Sequence, residues 1–171
     1  VRYHDPRRFG FMLLTHINEL SKHPQISSIG PEPLGNKFNG PVLAKALQNK
    51  KGPVKVALLD QKVVAGVGNI YACEALYRSG IYPKRAANTI KGVRAERLAT
   101  AIRDVLNEAI LSGGSTLRNY SNTDGELGYF QHRFRVYGHE GEPCQNKNCS
   151  QHIRRITQSG RSTFYCSSCQ R

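Results

Sequence analysis

The C-terminal stretch Cys144-Gln145-Asn146-Lys147-Asn148-Cys149, followed after sixteen residues by Cys166-Ser167-Ser168-Cys169, decides how the chain is read. Two close cysteine pairs with a hairpin-length insert supply what a tetrahedral ion needs. Each tight turn gives two thiolates, and the insert lets the chain return. The spacing predicts one structural zinc ion held by Cys144, Cys149, Cys166 and Cys169, in preference to two disulfides or free thiols. The insert itself reads as two short strands, 153–158 and 161–166, joined by Ser159-Gly160 as a two-residue turn. Arg154, Arg155 and Arg161 make this hairpin basic, with no acid to offset them. So small a hairpin has too little core to stand alone, so the ion carries much of its folding energy.

The rest of the chain sets the context. Its 171 residues allow one or two small domains, and an apolar content of 39% is that of a globular protein. Lys and Arg number 25 against 12 Asp and Glu, a net charge of +13 and a pI near 9.9. That excess suits a polyanion, most simply nucleic acid, and permits an anionic membrane surface. No apolar run approaches membrane-spanning length and no signal peptide opens the chain. Four thiols kept as ligands fit a reducing cytosol. The chain opens at Val1 and its only methionine is Met12, from which the start of the natural protein is expected to lie upstream.

In order, residues 1–16 read as strand, Asp5-Pro6 turn and a second strand over 9–14, the trailing edge of a larger β domain. Residues 17–38, with Pro24, Pro31 and Pro33, read as a short helix over 17–22 and a linker. From Asn39, a candidate cap with Pro41 in the first turn, the pattern is helical. Helices are predicted over 39–50, 53–59, 69–79 and 91–112. The last is marked by Leu98, Ala101, Ile102, Val105, Leu106, Ala109 and Ile110 and stopped by Gly113-Gly114. Asn122 to Gly128 read as a loop by composition, and Phe134 to Tyr137 as a short strand leading into the metal module.

Several residues are candidates for chemistry. Gly66-Val67-Gly68-Asn69 before a helix reads either as a phosphate seat, where backbone amides meet an anion, or as a tight interhelical turn. Arg7-Arg8-Phe9 can pair with phosphates or an unpaired base while the ring wedges into a stack; the alternative is a basic turn with one core Phe. Lys50, Lys51 and Lys55 are phosphate contacts or a solvated helix end. Arg161 sits at the hairpin tip, within reach of a groove or as a solvated turn residue. The histidines show no ligand spacing, and Cys73 reads as a small buried residue. No nucleophile, base or carboxylate pair follows from spacing.

The motifs taken together go further. Asp5-Pro6-Arg7-Arg8-Phe9-Gly10, Gly30-Pro31-Glu32-Pro33-Leu34, Gly66-Val67-Gly68-Asn69-Ile70-Tyr71, Gly141-Glu142-Pro143-Cys144 and Gly160-Arg161-Ser162-Thr163-Phe164-Tyr165-Cys166 occur in this order. The set resembles the C-terminal two-thirds of bacterial formamidopyrimidine-DNA glycosylases, which repair 8-oxoguanine. The resemblance implies a mainly α fold: a helix–two-turns–helix bundle, then a β-hairpin zinc finger, preceded by remnant strands of a β-sandwich domain. The divisions expected are 1–16, trailing strands; 17–38, linker; 39–131, DNA-binding bundle with a lesion-covering loop at 118–130; and 132–171, zinc finger. It implies a partner, double-stranded DNA carrying an oxidised purine or an abasic site, and an enzyme that flips the base, cuts its glycosidic bond and nicks the strand by β,δ-elimination. By resemblance, Asn69 holds the phosphate beside the lesion, and Arg7 and Phe9 fill the space of the flipped base. Lys50 contacts DNA, with Lys55 and Tyr137 as further candidates. Arg161 holds the lesion phosphates and serves δ-elimination. A monomer in the bacterial cytoplasm, at the nucleoid and off any membrane, is expected.

Two departures from the family pattern stand out. The family's N-terminal proline nucleophile, the glutamate after it and its β-domain lysine have no counterpart here, so these 171 residues are expected to bind DNA without cleaving it. The first cysteine pair is spaced x4 where the family has x2, which predicts a looser knuckle with Cys149 as its weakest ligand. Rival readings are an endonuclease VIII-type glycosylase for oxidised pyrimidines, a free-standing zinc-ribbon nucleic-acid binder, and a zinc module for protein contacts. Arg7, Phe9 and the 118–130 loop favour the purine enzyme.

Overall fold

The computed structural model describes Asp5, residues 10–114 and residues 129–171. Arg7, Phe9 and most of the 118–130 loop therefore lie outside the described residues. The first helical turn is a 3-10 segment at Ile17–Lys22, where the short helix is predicted. It runs into α1, Pro24–Ser27, which the proline-rich composition of the linker hides.

Four helices then follow at the predicted places. In α2, Gly40–Leu47, the Asn39 side chain accepts from the Val42 amide at 3.0 Å and Pro41 occupies the first turn. Pro53 precedes α3, Val54–Leu58. Helix α4, Asn69–Arg78, is closed by Gly80 at φ +69°, and α5, Val93–Leu111, by Gly113 and Gly114 at +68° and +90°. Leu43, Leu47, Val54, Leu58, Leu76, Leu98, Ile102 and Val105 are fully buried where α2 and α4 pack on α5. Ile110, expected in the α5 stripe, is instead 63% exposed: it lies one helical step, about 100°, beyond buried Ala109.

The linker is not loose. Gly30 donates to the Gln61 carbonyl and Ala65 to that of Pro31, so this segment lies along the α3–α4 connection. A Cβ on Gly30 would stand 2.6 Å from the Lys62 carbonyl oxygen, which is why a glycine stands there. Arg103 on α5 donates to the carbonyls of Pro33 and Phe38.

The finger is a two-stranded antiparallel hairpin, β1 Arg154–Gln158 and β2 Arg161–Tyr165, with Gln158 opposite Arg161. Ser159 and Gly160 both have positive φ, +48° and +71°, the primed two-residue turn the sequence predicts. A small second core of Cys73, Tyr77, Val136, Ile153 and Phe164 joins hairpin to α4.

Two predicted strands are not formed. Residues 10–14 carry no pairing, and Phe11, Met12, Leu13 and Leu14 are exposed: no strand beside them offers N–H and C=O partners among the described residues. Residues 134–137 are irregular because their amides turn to a side chain, described next.

Candidate functional site

Helix α4 carries the site. At its N-terminus no side chain among the described residues caps the first turn, so the leading amides have no capping partner there. Gly66 needs its glycine, at φ +71°. Gly68 does not: its φ is −96°, and among the described residues a Cβ there would meet nothing within 4 Å. The packing of the described residues leaves that space open, beside leading amides bearing the positive end of the helix dipole. This is a seat for an anion.

The side chains around it come from distant parts of the chain. Asn69 Nδ2 donates to the Ser162 carbonyl at 2.9 Å and lies 3.4 Å from the Tyr137 hydroxyl, while its Oδ1 is buried without a partner. Tyr137 is fixed by edge contacts with Phe134 and Phe164, at 5.7 and 4.9 Å between ring centres. Ser162 adjoins Arg161, which is exposed at the start of β2. Asn69, Tyr137 and the hairpin tip with Arg161 are thus brought to one place.

Of the two readings of Lys55, the solvated helix end does not hold: its side chain is completely buried in α3 and its Nζ has no hydrogen-bond partner among the described residues. Burial lowers its pKa, Cys73 opposes that, and the positive charge of Arg161 adds to it. A buried ammonium next to an arginine, with no counter-ion among the described residues, is costly, and an anion bound beside it would offset that cost. Lys50 is held 2.8 Å from the Asp60 carboxylate, whose pKa that hydrogen bond pulls below the ordinary value, and no described contact joins it to the cluster.

The metal centre lies behind the hairpin. The four sulfurs of Cys144, Cys149, Cys166 and Cys169 are within 4.8 Å of one another, with Cys144 and Cys169 3.8 Å apart and Cys149 and Cys166 3.6 Å apart. Tetrahedral zinc with Zn–S near 2.3 Å requires sulfurs roughly 3.8 Å apart, so the set fits the ion. The x4 spacing is absorbed by a local turn: Cys149 donates to the Asn146 carbonyl and Asn148 to the Asn146 side chain. The amide of Gln151 beside its sulfur pulls the Cys149 thiol down to about 7, which favours the thiolate a metal takes.

Three contacts that the sequence does not announce weld this centre to α4. The Tyr77 hydroxyl lies 3.1 Å from the Cys144 sulfur. Cys73, buried and pushed up to about 11 by that burial, packs with Phe164 of β2. The carboxylate of Glu74, fully buried, accepts the amides of Arg135, Val136 and Tyr137 at 2.9–3.0 Å. The only sequence signal for Glu74 is an acid in the middle of an otherwise apolar helix stretch.

Comparisons with known proteins agree with this arrangement. Residues 29–121 match the family model "Formamidopyrimidine-DNA glycosylase H2TH domain", and residues 141–171 the "Zinc finger found in FPG and IleRS". Among curated relatives, the formamidopyrimidine-DNA glycosylases of Azorhizobium caulinodans and Rhodospirillum centenum are 56% and 58% identical over the whole of this chain. The chain spans 60% of the length of each. The crystal structure of the MutM (Fpg) protein from Thermus thermophilus superimposes with a TM-score of 0.87 at 43% identity, covering 98% of this chain and 63% of that one. A complex of Lactococcus lactis Fpg with DNA containing an abasic site gives 0.80 at 34%, covering 91% and 56%. Its sequence and its fold alike place this chain in the formamidopyrimidine-DNA glycosylase family.

Proposed function

We propose that this chain is the DNA-gripping part of a bifunctional glycosylase and abasic-site lyase of base-excision repair, acting on oxidised purines such as 8-oxoguanine and formamidopyrimidines. What supports the reading is that the Asn69 side chain, at the start of α4, donates to the carbonyl of Ser162, the residue after exposed Arg161, and that the buried Lys55 ammonium feels the Arg161 charge. A structural neighbour from Lactococcus lactis is a complex with Fapy-dG-containing DNA, and another with abasic-site DNA, which supports the same substrate class.

In this reading the α4 amides and Asn69 hold one lesion-flanking phosphate, Arg161 and Lys55 hold the charge around it, and Tyr137 keeps Asn69 in place. Arg7 and Phe9 fill the gap left by the flipped base, and Lys50 exchanges Asp60 for a backbone phosphate. The loop over 118–130 covers the extruded purine. Arg161 also assists δ-elimination. Zinc, when bound, supplies no chemistry to the reaction and holds the knuckles together. The division into bundle, 39–131, and finger, 132–171, is that of two grips on one duplex. The protein works as a monomer in the bacterial cytoplasm, at the nucleoid. Among the described residues no helix is long and apolar enough to cross a membrane.

Three results test this. The zinc-loaded chain binds a duplex with an abasic-site analogue more tightly than the undamaged duplex, and both affinities fall steeply as salt rises. Equal affinity for the two would leave only a general DNA binder. Arg161→Ala weakens abasic-duplex binding roughly tenfold, the value of a lost charged contact of about 1.4 kcal/mol. Its melting temperature stays unchanged because the side chain is exposed. A fall in melting with binding intact would make the residue structural.

Lys55→Met separates function from stability. A lysine whose folded pKa is lowered costs stability fully below that pKa, and the cost disappears as pH rises past the ordinary lysine value. Removing the charge therefore raises the melting temperature at neutral pH, by about 1–3 kcal/mol of stability, while DNA affinity falls. A variant that melts lower and binds DNA normally would refute the assignment.

A further inference from the structure

A second cationic site lies at the other end of α4. A cavity of about 700 Å³ opens between the C-terminal end of that helix, the start of α5 and the first cysteine knuckle. Arg78, Arg97, Arg135 and Lys147 line it, together with Asn146, and no carboxylate is in its wall. The acids close by are already engaged. Glu108 grips Arg78 with two bonds of 2.6 and 2.8 Å, Glu74 is spent on the amides of residues 135–137, and Glu96 accepts the Gly40 amide. Arg97, Arg135 and Lys147 are exposed and form no ion pair among the described residues. The Arg78 side chain is only 10% exposed, and its buried Nε has no partner among the described residues. The carbonyls at the end of α4 do not supply the missing negative charge. That of Ala75 is taken by the Ser79 amide and hydroxyl, that of Leu76 by Ile81 and that of Tyr77 by Gly80.

We propose that this cleft docks an acidic peptide segment of a partner protein. The geometry selects that occupant. Asn69 and Arg78 stand nine residues apart on one helix, about 13 Å along its axis, so a duplex seated on the N-terminal end of α4 does not fill the cleft. A single nucleic-acid strand would need an aromatic face for its bases. The only ring in the wall is Tyr77, 8% exposed, with its hydroxyl against Cys144. One phosphate would leave most of the volume and most of the cations unused. Carboxylates spaced along an extended peptide meet all of them, the mode in which arginine clusters read acidic motifs. Docking and DNA binding are therefore compatible, and both can occur on one molecule.

The test uses a fluorescein-labelled peptide of six alternating aspartates and glutamates, titrated with the zinc-loaded chain already saturated with abasic-analogue duplex. Saturable binding is expected, weakening as salt rises. The double variant Arg97→Glu/Lys147→Glu should bind the peptide at least tenfold more weakly, with its melting temperature and duplex affinity unchanged within twofold. If the charge reversal impairs folding, Arg97→Gln/Lys147→Gln replaces it, with the peptide again bound more weakly. The proposal fails if the DNA-loaded chain does not bind the peptide, or if the folded variants bind it as the parent does. It also fails if unlabelled duplex or an oligo-dT strand displaces the peptide from the DNA-loaded chain.

Discussion

Stripping zinc from this chain with a chelator unfolds the hairpin and leaves the helices standing. The four cysteines close the finger, whose own core is little more than Val136, Ile153, Phe164 and the contact with Cys73 and Tyr77. A module this small depends on its ion, and the apparent free energy of structural zinc sites, about 10–16 kcal/mol, is far more than such a core supplies. The helical core, from Phe38 through Leu98 to Val105, contains no metal ligand and is packed without it. Far-ultraviolet helix signal should therefore persist while the strand signal and the tyrosine signal of the finger disappear. Abasic-duplex affinity should drop about a hundredfold, roughly 2.8 kcal/mol, because Arg161 and the Ser162 carbonyl that orients Asn69 lose their support. The sign with pH follows from the ligands. Protons compete with the metal for the four thiolates, so acidification weakens zinc binding and loading improves as pH rises. Retained hairpin structure and DNA affinity after complete metal removal would contradict this.

Replacing Glu74 by alanine should be the most damaging single substitution in α4. One buried carboxylate receives the amides of three consecutive residues, 135, 136 and 137, so its loss orphans three donors at once, one buried and two half-buried. At about 1–3 kcal/mol for each unsatisfied group the penalty is roughly 3–9 kcal/mol, toward the lower end because two of the donors are only half-buried, and much of the stability of a small domain. Glu74→Gln keeps one acceptor oxygen and turns an NH2 toward the remaining amide, so it should recover part of the loss. Because Tyr137 belongs to the same segment, both variants should also lower duplex affinity. Thermal unfolding of the three proteins decides it: a Glu74→Ala chain that melts like the parent would show that the amides find water or other partners.

The elements legible in the sequence are those whose causes are local. Asn39 caps α2 from three residues away, the α5 stripe repeats within one helix, and Ser159-Gly160 dictates its own turn. The cysteine set reads from spacing because ligand geometry constrains it. What stays hidden depends on partners 60 residues or more away. Glu74 meets residues 135–137, Tyr77 meets Cys144, and Asn69 meets Ser162. The segment 134–137 shows why pattern alone misleads. Phe134 and Val136 are buried and Arg135 is exposed, the alternation of a strand, yet its amides bind a carboxylate and no neighbouring strand. Lys55 is hidden for the same reason: in a basic run a lysine reads equally as a phosphate contact or a solvated end, and its burial comes from the packing of α3, which rests on α4 and on the turn at Ala87–Thr89.

The central claim is that the end of α4 and the hairpin tip hold the same phosphates. A double-mutant cycle on abasic-analogue duplex tests it most directly, with dissociation constants for the parent, Asn69→Ala, Arg161→Ala and both together. Shared contacts predict that each single change weakens binding about tenfold and that the double change costs clearly less than the sum, a coupling of roughly 0.5–1.4 kcal/mol. Strict additivity, or a single variant that binds as tightly as the parent, would mean that the two residues do not act on one site.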